Sequence, residues 1–210
     1  MVAVAEVQTP DGRSLRRVRN RDAVLDAVIG IFEEGDLDPS VDAIAERARV
    51  SNRSIYRYFD HRDHLIRTAI SHALRRVAPE LLLDDRIEGA QEERIERFVA
   101  RQLHLYEQLA PIARAARVAA VSEPIIAEEF EVARLRLRTS ILVHFADEFD
   151  GLAPSVRDRT LISAELAFQF DSFEFLWTAT DGRASEMRAI LEEHLRCCIA
   201  RLRADPGTGV

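Results

Sequence analysis

SVDAIAERARVSNRSIYRYFDHR, residues 40–62, is the stretch from which the fold can be read. Ser40 is suited to cap a helix, and Val41, Ile44, Ala45 and Ala48 follow at the i, i+3, i+4, i+7 spacing of a single helix face. Arg49, Val50 and Ser51 interrupt that pattern. With Ser51 as the next N-cap, Val50 falls at N′ and Ile55 at N4, the two positions of a hydrophobic staple that sets the angle between successive helices. Ile55 and Phe59, four residues apart, supply the docking face of the second helix. Two short helices joined by a three-residue turn make a helix-turn-helix.

The other face of the second helix carries Asn52, Arg53, Ser54, Tyr56, Arg57 and Tyr58, whose amide, guanidinium, hydroxyl and phenol groups suit base edges and phosphate oxygens. No carboxylate lies between Ser51 and Phe59. From Arg47 to Arg62 five arginines stand against one acid, Asp60, a local positive excess in a chain of net charge −7. For contact with nucleic acid the local sign matters more than the total.

From Arg21 to Leu65 the chain resembles the tetracycline-repressor (TetR) family of bacterial one-component transcriptional regulators. The likeness is carried by RDAVLDAVIGIFEEG, then VDAIAERARVS, then SIYRYFDHRDHL. Beyond these residues it extends only to length and helical character. The resemblance implies that Asn52, Arg53 and Ser54 lie at the major-groove end of the recognition helix and that Ser40, Tyr56, Tyr58 and Arg62 hold phosphates; Asn52 and Arg53 are expected to read bases, and Ser54 to join the backbone contacts. It also implies a homodimer. Two positions depart from the family pattern. Arg49 stands where the turn usually has glycine, and a left-handed non-glycine residue costs on the order of 1 kcal/mol. Arg62 stands where lysine is common, keeping the charge and adding a two-pronged fork for phosphate.

All 29 basic residues are arginine. Charge is distributed unevenly: of the net −7, the part behind residue 66 carries −5, so the rear of the molecule should avoid DNA. The adjacent Cys197 and Cys198 argue against a disulfide framework and suit a reducing cytoplasm. The first twenty residues are polar and arginine-rich, which predicts no signal peptide, and no apolar run is long enough to span a membrane. The expected location is the bacterial cytoplasm.

Residues 1–20, with Pro10, Gly12 and a basic second half, read as a flexible arm: either a solvated tail or a strap reaching phosphates or a minor groove. Residues 21–66 form the DNA-binding head. Its first helix spans about Arg21 to Glu34, with Val24, Val28, Ile31 and Phe32 inward and Gly35 at C′. Residues 67–210 form a helical effector-binding and dimerisation domain. The pattern there predicts a linking helix to about Val77, a helix from Glu92 to Leu109, and a shorter one after Pro111. A long helix follows through Phe149, then a hairpin of two helices, Ser155 to Thr180 and Ala184 to Leu202. Apolar residues cover nearly all sides of the first hairpin helix. One side can thus serve the core and another a partner, giving an expected two-fold interface of Phe168, Phe175, Met187, Leu191, Leu195, Cys198 and Leu202.

The expected class is therefore all-α: a three-helix head and a larger helical domain. Phe98, Gln102, Phe145, Phe173 and Trp177 are expected to line a pocket for a small-molecule effector, by position and chemistry. His104, His144, Asp171 and Glu174 read more readily as internally satisfied polar groups than as ligand contacts. No metal site or cofactor is expected; His61 and His64, at i, i+3 beside two acids, suit capping and surface roles better than a metal pair. No phosphate loop, nucleophile elbow or catalytic constellation is found. The leading expectation is a homodimeric repressor released from a palindromic operator in double-stranded DNA by a small molecule. The alternative is a helical sequestering protein whose head no longer reads DNA.

Overall fold

The computed structural model describes residues 12–81, 87–121 and 123–204, with side chains omitted at 12–15, 77–81 and 202–204. The described residues form helices and no strand. In chain order these are α1 Gly12–Glu33, α2 Val41–Ala48, α3 Asn52–Tyr56, α4 Arg62–Leu81, α5 Gln91–Ala119, α6 Pro124–His144, α7 Ala146–Phe149, α8 Pro154–Ala167, α9 Phe170–Ala179 and α10 Ala184–Ala204. None is long and apolar enough to cross a membrane.

Helices α1 to α4 close around one apolar core. Val24, Leu25, Val28 and Phe32 from α1 meet Ile44, Ile55, Phe59, Leu65 and Ile70, all buried. Gly35, at φ 94, ends α1, and the Asp36 N–H reaches back to the Ile31 carbonyl at 3.3 Å. Helix α1 begins at Gly12, earlier than the first apolar repeat at Val24, so the expected flexible arm is corrected over residues 12–20. Arg16, Arg17 and Arg19 there are exposed and helical. Straight-chain arginines lose little rotamer freedom in a helix, so the segment continues without an apolar stripe. Residues 1–11 lie outside the described residues.

The rear helices surround a second core of Ile95, Phe98, Val99, Ile141, Phe145, Phe149, Leu161, Phe168, Met187, Leu191 and Leu195. Helix α5 joins the two. Ile95 to Leu103 serve the rear core, while Ile112, Ala115 and Ala116 serve the front one. That double packing explains why α5 runs through Pro111 instead of breaking there as expected: both halves are held by burial, and the carbonyl of exposed Glu107 can turn to water. Helix α4 likewise continues past Pro79 to Leu81.

Two other expected helices are divided. The long one breaks at Phe145 (φ −121, ψ 30), giving α6 and α7. The first hairpin helix breaks at Phe168 and Gln169, where Gln169 is extended (φ −73, ψ 151). The loosened α8 carbonyls are taken by side chains: Gln169 Nε2 donates to Glu165 O at 3.3 Å and Ser172 Oγ to Leu166 O at 2.5 Å. The bend lets Phe168 enter the core against Phe98 while Phe173 meets Tyr106. Ion pairs to buried carboxylates tie the layers together. Arg94 of α5 holds Glu148 and the His144 carbonyl, and Arg138 of α6 holds Glu165 of α8.

Candidate functional site

Helix α3 is short because its job is local. Ser51 caps it, its hydroxyl oxygen accepting the Ser54 N–H at 3.3 Å, and Ile55 and Phe59 pin it to the head core. Ser40 caps α2 in the same way, accepting the Ala43 N–H at 3.2 Å. The Ser40 hydroxyl hydrogen is still able to donate to a phosphate oxygen, whereas the Ser51 and Ser54 hydroxyls share a hydrogen bond at 3.0 Å. The turn between them places Arg49 in the left-handed region (φ 55, ψ 42), where the family pattern has glycine.

The outward face of α3 lies open. Asn52 and Arg53 are exposed, and Tyr56 is 54 % exposed. Arg53 has no hydrogen bond or ion pair among the described residues, so its fork is available. Asn52 Nδ2 donates to Asp42 Oδ1, which holds the amide on one side and leaves its oxygen without a hydrogen bond among the described residues. Arg57 lies over the Tyr58 ring, 4.9 Å from its centroid, and donates to the Tyr58 hydroxyl at 2.6 Å.

Arg62, expected on a phosphate, is otherwise engaged. Its Nε donates to the Pro39 carbonyl at 2.9 Å, one terminal nitrogen holds Asp38, and the other lies 3.7 Å from Asp63. It braces the turn that carries Ser40. Just before it, His61 Nδ1 accepts the His64 N–H at 3.1 Å and His64 Nδ1 accepts the Asp60 N–H at 3.3 Å, a reciprocal cap on α4. Among the described residues no group of three or more metal-ligating side chains converges.

A cavity of about 240 Å³ opens between α4, α5, α6 and the α8–α9 bend. Of the five residues expected to line a pocket, Gln102 does so. Phe98 and Phe145 do not: both are fully buried and stack edge-to-face within the rear core, 5.5 Å between centroids. Phe173 and Trp177 also lie off the cavity; Phe173 packs on Tyr106, and Trp177 covers the turn at Gly182. Sequence reasoning missed Arg101, Tyr106, Ser140, Phe130 and Phe170, which face this space. The α5 pattern that put Gln102 inside could have implicated Tyr106, one helical turn on; nothing in the sequence announces the bend at Gln169.

His104 is exposed, whereas His144 is buried beside Phe98. Glu174 accepts from Arg114 through both carboxylate oxygens at 2.9 Å, raising the guanidinium pKa, and Asp171 pairs with Arg117. These two ion pairs clamp α9 on α5.

The expected dimer residues separate into two sets. Phe168, Met187, Leu191, Leu195 and Cys198 are buried within the single chain, so they serve its own core and are unavailable to a partner as placed. Phe175 is 70 % exposed. Around it Ile162, Leu166 and Ile190 are also exposed, on α8 and α10. Leu202 lies outside the residues whose side chains are described.

Residues 24–69, from within α1 through the head-proximal turns of α4, match the family described as bacterial regulatory proteins, tetR family. No curated protein matches the chain. By these residues, with the capped and acid-free α3 surface they include, the chain carries an N-terminal DNA-binding domain like that of the tetR family of bacterial regulatory proteins, as a DNA-binding transcriptional regulator does.

Proposed function

We propose that the chain acts as a homodimeric repressor, bound to a palindromic operator and released from it by a small molecule that fills the cavity. The observation that carries this reading is the position of the cavity. Leu74 of α4, Ala116 and Ile126 belong both to its wall and to the apolar core of the DNA head, while Phe168 belongs to its wall and to the rear core. An occupant therefore touches both cores at once. A ligand preferring one placement of α4 shifts the population of head positions and with it operator affinity.

In the bound state Asn52 and Arg53 read bases, and Ser40, Ser54, Tyr56 and Tyr58 hold the backbone. Arg62 keeps the α1–α2 turn in register for them. The dimer forms through the exposed apolar face of Ile162, Leu166, Phe175 and Ile190, since apolar patches of this kind mark association surfaces. Two-fold symmetry then presents the two α3 helices to successive major grooves of a palindrome.

The test is a mobility shift on the DNA upstream of the protein's own gene, with a random duplex as control and the oligomeric state measured by analytical ultracentrifugation. Selective binding by a dimer is expected. A monomer, or equal affinity for both duplexes at every salt concentration, would refute the reading and favour a sequestering protein.

A further inference from the structure

The polar groups facing the cavity are unevenly satisfied. Four arginines and two glutamates line it. Arg117 is paired with Asp171 and stacked on Phe130, 4.3 Å from the ring centroid, and Arg134 is paired with Glu131 and Glu165. Arg136 is exposed. Arg101 differs from all three. It is half-buried, has no carboxylate partner among the described residues, and makes one polar contact, donating to Ser140 Oγ at 3.1 Å; its other neighbour is the Phe98 ring, 5.8 Å away. Burial draws its pKa below the usual arginine value.

Beside it lie two neutral polar side chains. The Gln102 amide is buried and the Tyr106 hydroxyl lines the same space, and neither makes a hydrogen bond among the described residues. An arginine without a carboxylate partner and two neutral polar side chains without a hydrogen bond, converging on one void, describe the complement of a ligand. The rest of the wall is apolar, with Leu105, Leu109, Phe130, Leu137, Phe168 and Phe170.

We propose that the cavity takes a compact apolar molecule bearing one carboxylate, with the carboxylate on Arg101 and the body against the leucine and phenylalanine wall. The proposal rests on the reading of this cavity as the effector site and names the chemical class of the effector. The planar guanidinium fork matches a carboxylate in two-point fashion. One free fork with two glutamates nearby suits a monoanion, not a phosphate dianion. Gln102 and Tyr106 then donate to whichever polar atom the body carries. The void, at about 240 Å³, has room for a small organic molecule.

The experiment is calorimetric titration of the full chain with octanoate and hydrocinnamate, each beside its neutral amide of the same shape. The carboxylates are expected to bind about tenfold or more tightly than the amides, as an ionic hydrogen-bonded contact should. Arg101→Gln is expected to bring the carboxylates down to the amides, and Arg101→Lys to keep part of the preference. Ala113→Trp, which fills the cavity from α5, is expected to abolish binding of both; circular dichroism checks that each variant is folded. Equal binding of acid and amide by the parent chain overturns the proposal without needing any variant. So does failure of all four compounds to bind at millimolar concentration, or a carboxylate preference that survives Arg101→Gln. Equal binding that Ala113→Trp abolishes removes only the anion class and leaves the effector cavity standing. Binding indifferent to Ala113→Trp removes the cavity reading itself.

Discussion

Arg67 of α4 and Glu123, the residue that precedes α6, meet at 2.9 Å, with the Arg67 side chain 33 % and the Glu123 side chain 20 % exposed. The pair joins the helix that carries the DNA head to the helix that carries Phe130, Leu137 and Ser140 of the cavity wall. Glu123 makes no side-chain cap to its own helix, so its carboxylate is committed to α4. In a double-mutant cycle, Arg67→Ala and Glu123→Ala are expected to couple by about 0.5–1 kcal/mol in denaturant unfolding. Amide exchange in the first turn of α6 should quicken in either single variant. Additive losses with unchanged exchange would mean that the two helices are not joined here.

Arg53 is the exposed α3 cation with no internal commitment among the described residues, so its loss should be felt on DNA alone. Arg53→Ala is expected to leave unfolding unchanged and to relax specificity at one base pair by about 1–3 kcal/mol. The readout is binding to an operator series substituted one pair at a time. A uniform loss across the series would assign Arg53 to the backbone.

Arg62 should behave in the opposite way. All three of its nitrogens face the Asp38–Pro39 turn or Asp63, so Arg62→Ala removes a brace. The expected cost is about 1–2 kcal/mol in unfolding, the range for a charge-assisted contact that leaves a carbonyl unpaired. Specific and random DNA should weaken alike, with the slope of log K against log salt unchanged. A slope smaller by about one unit would instead show that Arg62 leaves the turn to bind a phosphate in the complex.

The proposed dimer face can be separated from the core beneath it. Phe175→Arg, at an exposed position, is expected to give a folded monomer with the parent's helical content. Leu191→Ala, at a residue 2 % exposed, is expected to cost about 2–5 kcal/mol of stability and leave association secondary. Sedimentation and circular dichroism read both. A Phe175→Arg dimer would place the two-fold elsewhere.

The head was legible because its signals are local. Ser40, Ser51, the staple of Val50 and Ile55, and Gly35 each act within a few residues, and they occupy the positions their spacing implies. The rear was less so, because long-range packing decides it. Pro111 signals a helix end, yet burial of Ile112 and Ala116 on the front core carries α5 through it. Between Leu166 and Phe170 no glycine or proline marks a turn, yet the chain bends to bring Phe168 inward. That bend turns Phe168 into the core while Phe175 stays exposed, and Met187, Leu191, Leu195 and Cys198 of α10 are taken up by the chain's own core. It also hid Arg101 and Tyr106, whose significance depends on what α6 and α9 place opposite them.

Arg49 is where local preference and native geometry disagree. Its backbone sits at φ 55, ψ 42, with its N–H directed to the Ala45 and Glu46 carbonyls, and the next N–H, of Val50, returns to Ala45 O at 3.0 Å. Those bonds close α2 and aim α3, so the chain holds the left-handed conformation despite a Cβ. Glycine would adopt it without that penalty, of about 1–2 kcal/mol, although it would give back roughly half of the gain through its freer unfolded chain. Arg49→Gly is therefore expected to raise stability by about 0.5–1 kcal/mol in denaturant unfolding. Arg49→Ala is the control, since alanine removes the same charge and keeps the Cβ. It should stay near the parent in stability and match Arg49→Gly in any loss of DNA affinity. If alanine stabilised the head as much as glycine, the gain would come from losing the guanidinium, and the turn would carry no backbone strain.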